Sequence, residues 1–84
     1  MITVYGKPGC SFCEQAKMLS TSQGLTYNYI ELDVGQPKKL DGEYISREDF
    51  MMLFPDARTV PQILVDDIHV GGYQEFKQYL KESK

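Results

Sequence analysis

The first third of the chain has a pattern of apolar residues that predicts a strand, a helix and a second strand. Apolar runs over residues 2–5 and 27–32 are rich in β-branched and aromatic residues and predict strands. Between them, a helix is predicted over residues 11–22, and Gly24 terminates it. Its apolar stripe has helical spacing and consists of Phe12, Ala16 and Leu19. Because strands joined through a helix are almost always parallel, this segment predicts a right-handed βαβ unit.

A loop and a short second helix are predicted next. Residues 33–44 contain two glycines, one proline and mixed charge, which favours a surface loop. Ser46, with Asp49 three residues later, resembles an N-cap, and the helix is predicted to end before Pro55. We expect a buried side broadened by two methionines and formed by Phe50, Met51, Met52, Leu53 and Phe54.

The last third predicts a hairpin followed by a helix. Two apolar runs over residues 63–65 and 68–70 flank Asp66-Asp67, which is the pattern of an antiparallel hairpin with a two-residue turn. Gly71-Gly72 ends it, and a helix over residues 74–82 has its buried edge at Phe76 and Leu80. The predicted order is therefore β-α-β-α-β-β-α, an α/β fold with a four-stranded mixed sheet flanked by three helices.

Length and charge restrict the function classes. The chain has 84 residues and is expected to form a single domain over residues 1–84. Its formal net charge of −3 argues against nucleic acid, because that binding depends on clustered cations. A strand-like run begins at the amino terminus with no basic start and no long apolar segment, so we expect no membrane contact and a cytoplasmic location.

The chemistry of the chain is expected to lie in its two cysteines, Cys10 and Cys13. They follow the first strand after a glycine- and proline-containing turn, at the start of the first helix. Thiols at i and i+3 can meet on one helical turn, so a disulfide can open and close without refolding. A thiol with a pKa of about 8.5 is mostly protonated at neutral pH. A reactive Cys10 therefore needs a lowered pKa, which the free amides at the helix start and the Lys7 ammonium would provide.

Four motifs in order resemble the glutaredoxins, a family with the thioredoxin fold. They are Lys7, Cys10-Ser11-Phe12-Cys13, Arg58-Thr59-Val60-Pro61 and Gly71-Gly72-Tyr73. The compact length and the long loop before the second helix are similar to phage-encoded members. The resemblance implies a glutathione-dependent thiol–disulfide oxidoreductase in which Cys10 attacks and Cys13 resolves. Protein disulfides and glutathionylated proteins would be its substrates.

The resemblance also implies a glutathione site. Val60 would pair through its backbone with glutathione beside a cis-Pro61, and the amides after Gly72 would hold the γ-glutamyl carboxylate. Further contacts with the tripeptide are expected from Lys7, Phe12, Arg58, Thr59, Tyr73, Gln74 and Glu75. Glu75 follows Gln74 where the family commonly has Asp, so its contact with the glutathione ammonium would use a longer side chain.

Other functions remain open at this stage. Ser11 replaces the proline common in dithiol glutaredoxins, and some such variants hold a [2Fe-2S] cluster between two subunits. A thioredoxin-reductase-dependent electron donor is the other alternative. A zinc site is disfavoured, since the only further ligand, His69, is predicted far from Cys10. We expect a monomer whose partners are glutathione and disulfide-bearing proteins, with ribonucleotide reductase as a family-level client.

Overall fold

The computed structural model describes residues 1–57 and 59–82. In this part of the chain the strands are β1 (Ile2–Gly6), β2 (Tyr27–Leu32), β3 (Glu43–Ile45), β4 (Gln62–Val65) and β5 (Ile68–Gly71). The helices are α1 (Ser11–Ser22), α2 (Arg47–Leu53) and α3 (Tyr73–Glu82). None of these helices is long and apolar enough to cross a membrane.

The strands form one mixed sheet in the order β3-β2-β1-β4-β5. β1 and β2 run parallel, with Val4 opposite Tyr29, which confirms the predicted βαβ unit. β4 pairs antiparallel with β1 and with β5. Since the central strand β1 leads directly to the cysteines, the most enclosed part of the sheet supports the dithiol.

The predicted four-stranded sheet is wrong by one strand. β3 lies at the end of the segment predicted as a loop and pairs parallel with β2, with Leu32 opposite Ile45. The Asp33 N–H also donates to the Ile45 carbonyl at 2.9 Å. Three residues at a sheet edge are too few to produce a period-2 pattern, so the sequence carried no signal for this strand.

Two apolar clusters cover the two faces of the sheet. Side chains alternate along β1, so Val4 faces α1 and α3, whereas Tyr5 faces α2. The buried residues of the first cluster are Ile2, Val4, Ala16, Ile63 and Phe76. Those of the second are Tyr5, Phe50 and Phe54, whose rings make edge-on and tilted contacts. The sheet therefore lies between a two-helix layer and the short helix α2.

The N-cap of α2 is as predicted, but its buried side is narrower. The Asp49 N–H donates to the Ser46 hydroxyl at 3.0 Å. Phe50 and Phe54 are buried, whereas the side chains predicted to join them are more than half exposed, at 57%, 79% and 53% for Met51, Met52 and Leu53. Phe50 in α2 and Phe54 at its C-cap are four residues apart and face the sheet together, so the residues between them are left exposed.

The first helix has the predicted limits, whereas each strand of the predicted hairpin is one residue longer at its outer end. α1 spans the predicted residues, but its buried side is formed by Cys13, Ala16 and Ser20, and Phe12 is 49% exposed. The hairpin turns at Asp66 and Asp67, which both have positive φ, as a type I′ turn requires. α3 begins one residue before its predicted start.

Candidate active site

The two cysteines lie where β1 turns into α1. Gly9 has a φ of +72°, so the chain reverses there at little steric cost before the helix begins. Cys10 is the N-cap of α1, and its sulfur accepts a hydrogen bond from the Cys13 N–H at 3.2 Å. The two residues form a disulfide, with their Cα atoms 5.2 Å apart. A redox-active pair thus closes the first turn of the helix.

Cys10 and Cys13 differ strongly in burial. Cys10 is partly exposed, whereas Cys13 has no exposed surface. The first amides of α1, those of Ser11 and Phe12, donate no hydrogen bond to any residue that the structure describes. These unpaired N–H groups stabilise negative charge at the N-cap position, which Cys10 occupies.

The segment before β4 faces the dithiol. The Val60–Pro61 peptide bond is cis, as predicted, and the Val60 carbonyl oxygen lies 3.7 Å from the Cys10 sulfur. Within the described ranges, no group pairs with the Val60 N–H. The Thr59 carbonyl accepts a hydrogen bond from the Gln62 side-chain amide at 2.8 Å, which stabilises the turn that contains the cis peptide bond. Val60 therefore has a free backbone donor beside the reactive sulfur.

The double glycine brings the start of α3 close to this segment. Gly71 has a φ of +121°, a conformation that side-chain-bearing residues rarely adopt. A Cβ at Gly72 would lie 3.4 Å from the Pro61 carbonyl oxygen, so the two segments are in close contact. The Gly72 N–H donates to the Glu75 carboxylate at 2.8 Å, and the Gly72 carbonyl accepts from Phe76 at 2.9 Å.

Phe12 and Tyr73 connect the two helix starts. Their rings stack with centroids 5.8 Å apart and an interplanar angle of 29°. Phe12 is the residue immediately before Cys13, and Tyr73 is the first residue of α3. The aromatic pair forms an apolar surface beside the dithiol, with the exposed face available for contact.

A groove of about 420 Å³ runs between the segment after α2 and the double glycine. Thr59, Gly72 and Glu75, which the sequence analysis expects to contact glutathione, line it. It is also lined by Gln62 and His69, which the sequence analysis did not assign to the site. The His69 Nε2 and the Gln62 Oε1 lie 2.7 Å apart. The predicted hairpin pairs Leu64 with His69 and so places His69 diagonally across from Gln62 on one face of the sheet, which is the signal that could have found this pair.

The remaining residues predicted to contact glutathione are Lys7, Gln74 and Arg58. Lys7 is exposed and has no ion-pair partner among the described residues. Gln74 is exposed, and its side chain lines a separate groove, on the outer side of α3. Arg58 lies outside the described residues. Over residues 1–57 and 59–82, no three histidine, cysteine or acidic side chains come together as a metal site.

Comparison with known proteins identifies the family. The glutaredoxin family model matches residues 2–70. Glutaredoxin 1 of Escherichia coli is 31% identical over 95% of this chain and 92% of its own length, and the glutaredoxin of Vibrio cholerae is 29% identical over 98% and 92%.

Solved structures of glutaredoxins are also similar to this chain. Reduced E. coli glutaredoxin has a TM-score of 0.72 at 30% identity, covering 96% of this chain and 93% of that one. A buckwheat glutaredoxin–glutathione complex has a TM-score of 0.71 at 26% identity, covering 99% and 70%. The chain therefore belongs to the glutaredoxin family and is a thiol–disulfide oxidoreductase whose redox-active residues are Cys10 and Cys13.

Proposed function

We propose that this protein uses glutathione to reduce protein disulfides and glutathione mixed disulfides, with Cys10 as the nucleophile and Cys13 as the resolving thiol. The observation that carries the proposal is the difference in burial between the two sulfurs. Cys10 is partly exposed at the helix N-cap, and Cys13 is fully buried one turn further on. A substrate disulfide can reach only the first.

Cys10 also has the environment of a stabilised thiolate. Its sulfur accepts a hydrogen bond from the Cys13 N–H at 3.2 Å, and the unpaired amides of Ser11 and Phe12 lie in the same turn. Hydrogen bonds to an anion and the positive end of a helix both lower the pKa of a thiol. The thiolate is the species that attacks disulfides, so these groups favour reaction at Cys10 at neutral pH.

The reaction then follows one of two routes. The Cys10 thiolate attacks a disulfide, a mixed disulfide forms, and the other sulfur leaves as a thiolate with the bonding electron pair. In the dithiol route, the Cys13 thiolate attacks the Cys10 sulfur, so the Cys10–Cys13 bond forms and the partner leaves. In the monothiol route, a second glutathione thiolate attacks the sulfur of the glutathione bound to Cys10, so glutathione disulfide forms, the bond to Cys10 breaks and Cys10 leaves as a thiolate. Only the dithiol route needs Cys13.

Glutathione binding is supported by free backbone groups around Cys10. The Val60 N–H and carbonyl would pair with the cysteinyl residue of glutathione as one strand adds to another. The amides of Tyr73 and Gln74 would hold the γ-glutamyl carboxylate, because no described residue accepts from them.

Charged side chains would complete the site at both ends of the tripeptide. The Glu75 carboxylate would meet the glutathione ammonium, while Lys7 and Arg58 would attract its glycyl carboxylate. Phe12, Thr59 and Pro61 would supply the remaining contacts. The buckwheat relative, whose structure is a complex with glutathione, supports this class of ligand.

The assignment of roles can be tested by trapping. Each single-cysteine variant, Cys10→Ser and Cys13→Ser, is incubated with glutathione disulfide and its intact mass is measured. We expect one glutathionyl group on Cys13→Ser and none on Cys10→Ser over the same time. Labelling of Cys10→Ser at an equal or greater rate would contradict the assignment. A brown, dimeric product after anaerobic purification would instead support the cluster-binding alternative.

A further inference from the structure

The buried sulfur of Cys13 lies beside the phenol of Tyr29, and the two share the space above Gly6. A Cβ built on Gly6 would lie 2.8 Å from the Cys13 sulfur and 2.9 Å from Cε1 of Tyr29, with the Tyr29 hydroxyl oxygen closer still. The absence of a side chain at Gly6 leaves this space open. The Tyr29 hydroxyl of β2 and the Cys13 sulfur of α1 therefore both border the same space at the end of β1.

The Cys13 thiolate needs a hydrogen-bond donor, and the other described residues of the site do not provide one. Cys10 receives the Cys13 N–H, but no described residue donates a hydrogen bond to the Cys13 sulfur. Full burial raises the cost of an anion, so without a donor the Cys13 thiol would ionise with difficulty. The resolving step nevertheless requires the Cys13 thiolate.

The Tyr29 hydroxyl is available as that donor. In the oxidised structure, where the Cys13 sulfur is bonded to Cys10, this hydroxyl makes no hydrogen bond with the described residues. Burial, with smaller contributions from Glu31 and Glu14, raises the pKa of Tyr29 to about 12, so the phenol keeps its proton at neutral pH. Lys17 lies 4.1 Å above the ring and pairs with Glu14 at 2.7 Å.

Within residues 1–57 and 59–82, the charged groups that act on this phenol are Glu31, Glu14 and Lys17. Glu14 and Lys17 belong to α1 and Glu31 to β2, while Val4, the β1 residue opposite Tyr29, and Gly6 carry no charge.

We propose that, once the disulfide is reduced, the Tyr29 hydroxyl donates a hydrogen bond to the Cys13 thiolate and acts as a positioning residue for the resolving step. The inference rests on the resolving role of Cys13 proposed above. In that step the Cys13 thiolate attacks the Cys10 sulfur, the Cys10–Cys13 bond forms, and the partner sulfur leaves with the electron pair. Tyr29 keeps its proton throughout and changes only how much Cys13 is ionised.

Loss of this hydrogen bond changes the rate of the resolving step in two opposing ways. A hydrogen bond to a charged group is worth about one pKa unit, so its loss reduces the thiolate fraction about tenfold below the pKa. The remaining thiolate is roughly three times more nucleophilic, because reactivity rises with thiol pKa. We therefore expect Tyr29→Phe to slow the dithiol route about threefold and to leave the monothiol route unchanged.

The test measures the pKa of Cys13 directly. In Cys10→Ser, Cys13 is the only cysteine, so labelling with ¹³C-cysteine gives one Cβ resonance that moves when the thiol ionises. The titration is repeated with Tyr29→Phe added, and with Tyr27→Phe as the matched control on the same face of β2. Amide spectra of the same samples show whether each variant is folded.

We expect the Cys13 pKa to rise by about one unit with Tyr29→Phe and to stay constant with Tyr27→Phe. An unchanged pKa with Tyr29→Phe, or an equal rise with Tyr27→Phe, would overturn the inference. The outcome is separable from glutathione trapping at Cys10: a rise in the Cys13 pKa would support the hydrogen bond even if Cys10 trapped no glutathione.

As a second readout, we compare wild type and Cys13→Ser, each with and without Tyr29→Phe. Tyr29→Phe should slow reduction of a protein disulfide by wild type and leave reduction of a glutathione mixed disulfide by Cys13→Ser unchanged. An equal loss in both assays would contradict a role at Cys13, because the second assay does not use that thiol.

Discussion

The Glu75 carboxylate accepts a hydrogen bond from the Gly72 N–H at 2.8 Å, across the first turn of α3. This contact satisfies one of the free amides at the start of the helix and holds a negative charge at the rim of the groove. The longer side chain that distinguishes this protein from the common family pattern thus folds back on its own helix. It still lines the groove between the segment after α2 and the double glycine.

The first prediction concerns Glu75→Gln, which keeps a hydrogen-bond acceptor for Gly72 and removes the charge. If Glu75 meets the glutathione ammonium, the KM for a glutathione mixed disulfide should rise roughly two- to fivefold with kcat unchanged, as expected for an exposed ion pair. The measurement is steady-state turnover at low ionic strength.

An analogue without the α-amino group of glutathione provides the control for this effect. With that substrate, wild type and Glu75→Gln should have the same KM. Glu82→Gln, at the other end of α3, should leave both substrates unaffected. A KM increase in Glu75→Gln that persists with the analogue would contradict the ion pair.

Gly6 provides a prediction about packing. A methyl group there would overlap the Cys13 sulfur and the Tyr29 phenol, and burial leaves little room for relaxation. Gly6→Ala should therefore lower the free energy of unfolding of the reduced protein by about 1–3 kcal/mol, measured by urea denaturation. Adding Tyr29→Phe removes the nearest atom and should recover part of the loss; strictly additive effects would argue against this contact.

The raised pKa of Tyr29 predicts a specific alkaline sensitivity. The pKa of Tyr29 is at the ordinary value of 10.0 in the unfolded chain and is raised by burial to about 12 in the folded protein, so its contribution to stability is complete below pH 10 and is lost as the pH rises towards 12. Tyr29→Phe should make the decline in unfolding free energy between pH 10 and 12 shallower. Tyr79→Phe, at an exposed site, is the control, and an equally steep decline in both variants would contradict the burial effect.

The N-cap of α2 gives a prediction independent of the redox chemistry. Ser46→Ala removes the acceptor for the Asp49 N–H and should lower the free energy of unfolding by about 1 kcal/mol. Ser46→Asp retains an acceptor and should restore it. Equal stability of the alanine and aspartate variants in urea would show that the cap contributes little.

The elements predicted from sequence are those with a strong local pattern. α1 carries helical spacing, a turn before it and Gly24 after it, and its bounds agree with the structure. The Asp66-Asp67 turn has a conformational requirement that few residues meet, so the hairpin was also predictable. β3 has three residues and takes its conformation from pairing with β2, which no local pattern records.

The features of the candidate site also fall into those that a local sequence pattern predicts and those that it does not. The cysteines and the cis-Pro61 segment are defined by short motifs and were assigned correctly in position. The approach of Tyr29 to Cys13 depends on the register of β1 and β2 and on the absence of a side chain at Gly6. That contact arises only once the sheet is assembled, so the sequence alone could not show it. The Gln62–His69 pair, by contrast, lies diagonally across the predicted hairpin and could have been found from its register.

Glutathione dependence is the central claim, and a coupled assay tests it most directly. Reduction of a glutathione mixed disulfide is followed by NADPH consumption with glutathione and glutathione reductase, and in parallel with thioredoxin reductase in their place. We expect turnover with glutathione that is lost in Cys10→Ser and retained in Cys13→Ser, and none with thioredoxin reductase. Inactivity with glutathione, together with reduction of the wild-type protein by thioredoxin reductase, would contradict the proposed function.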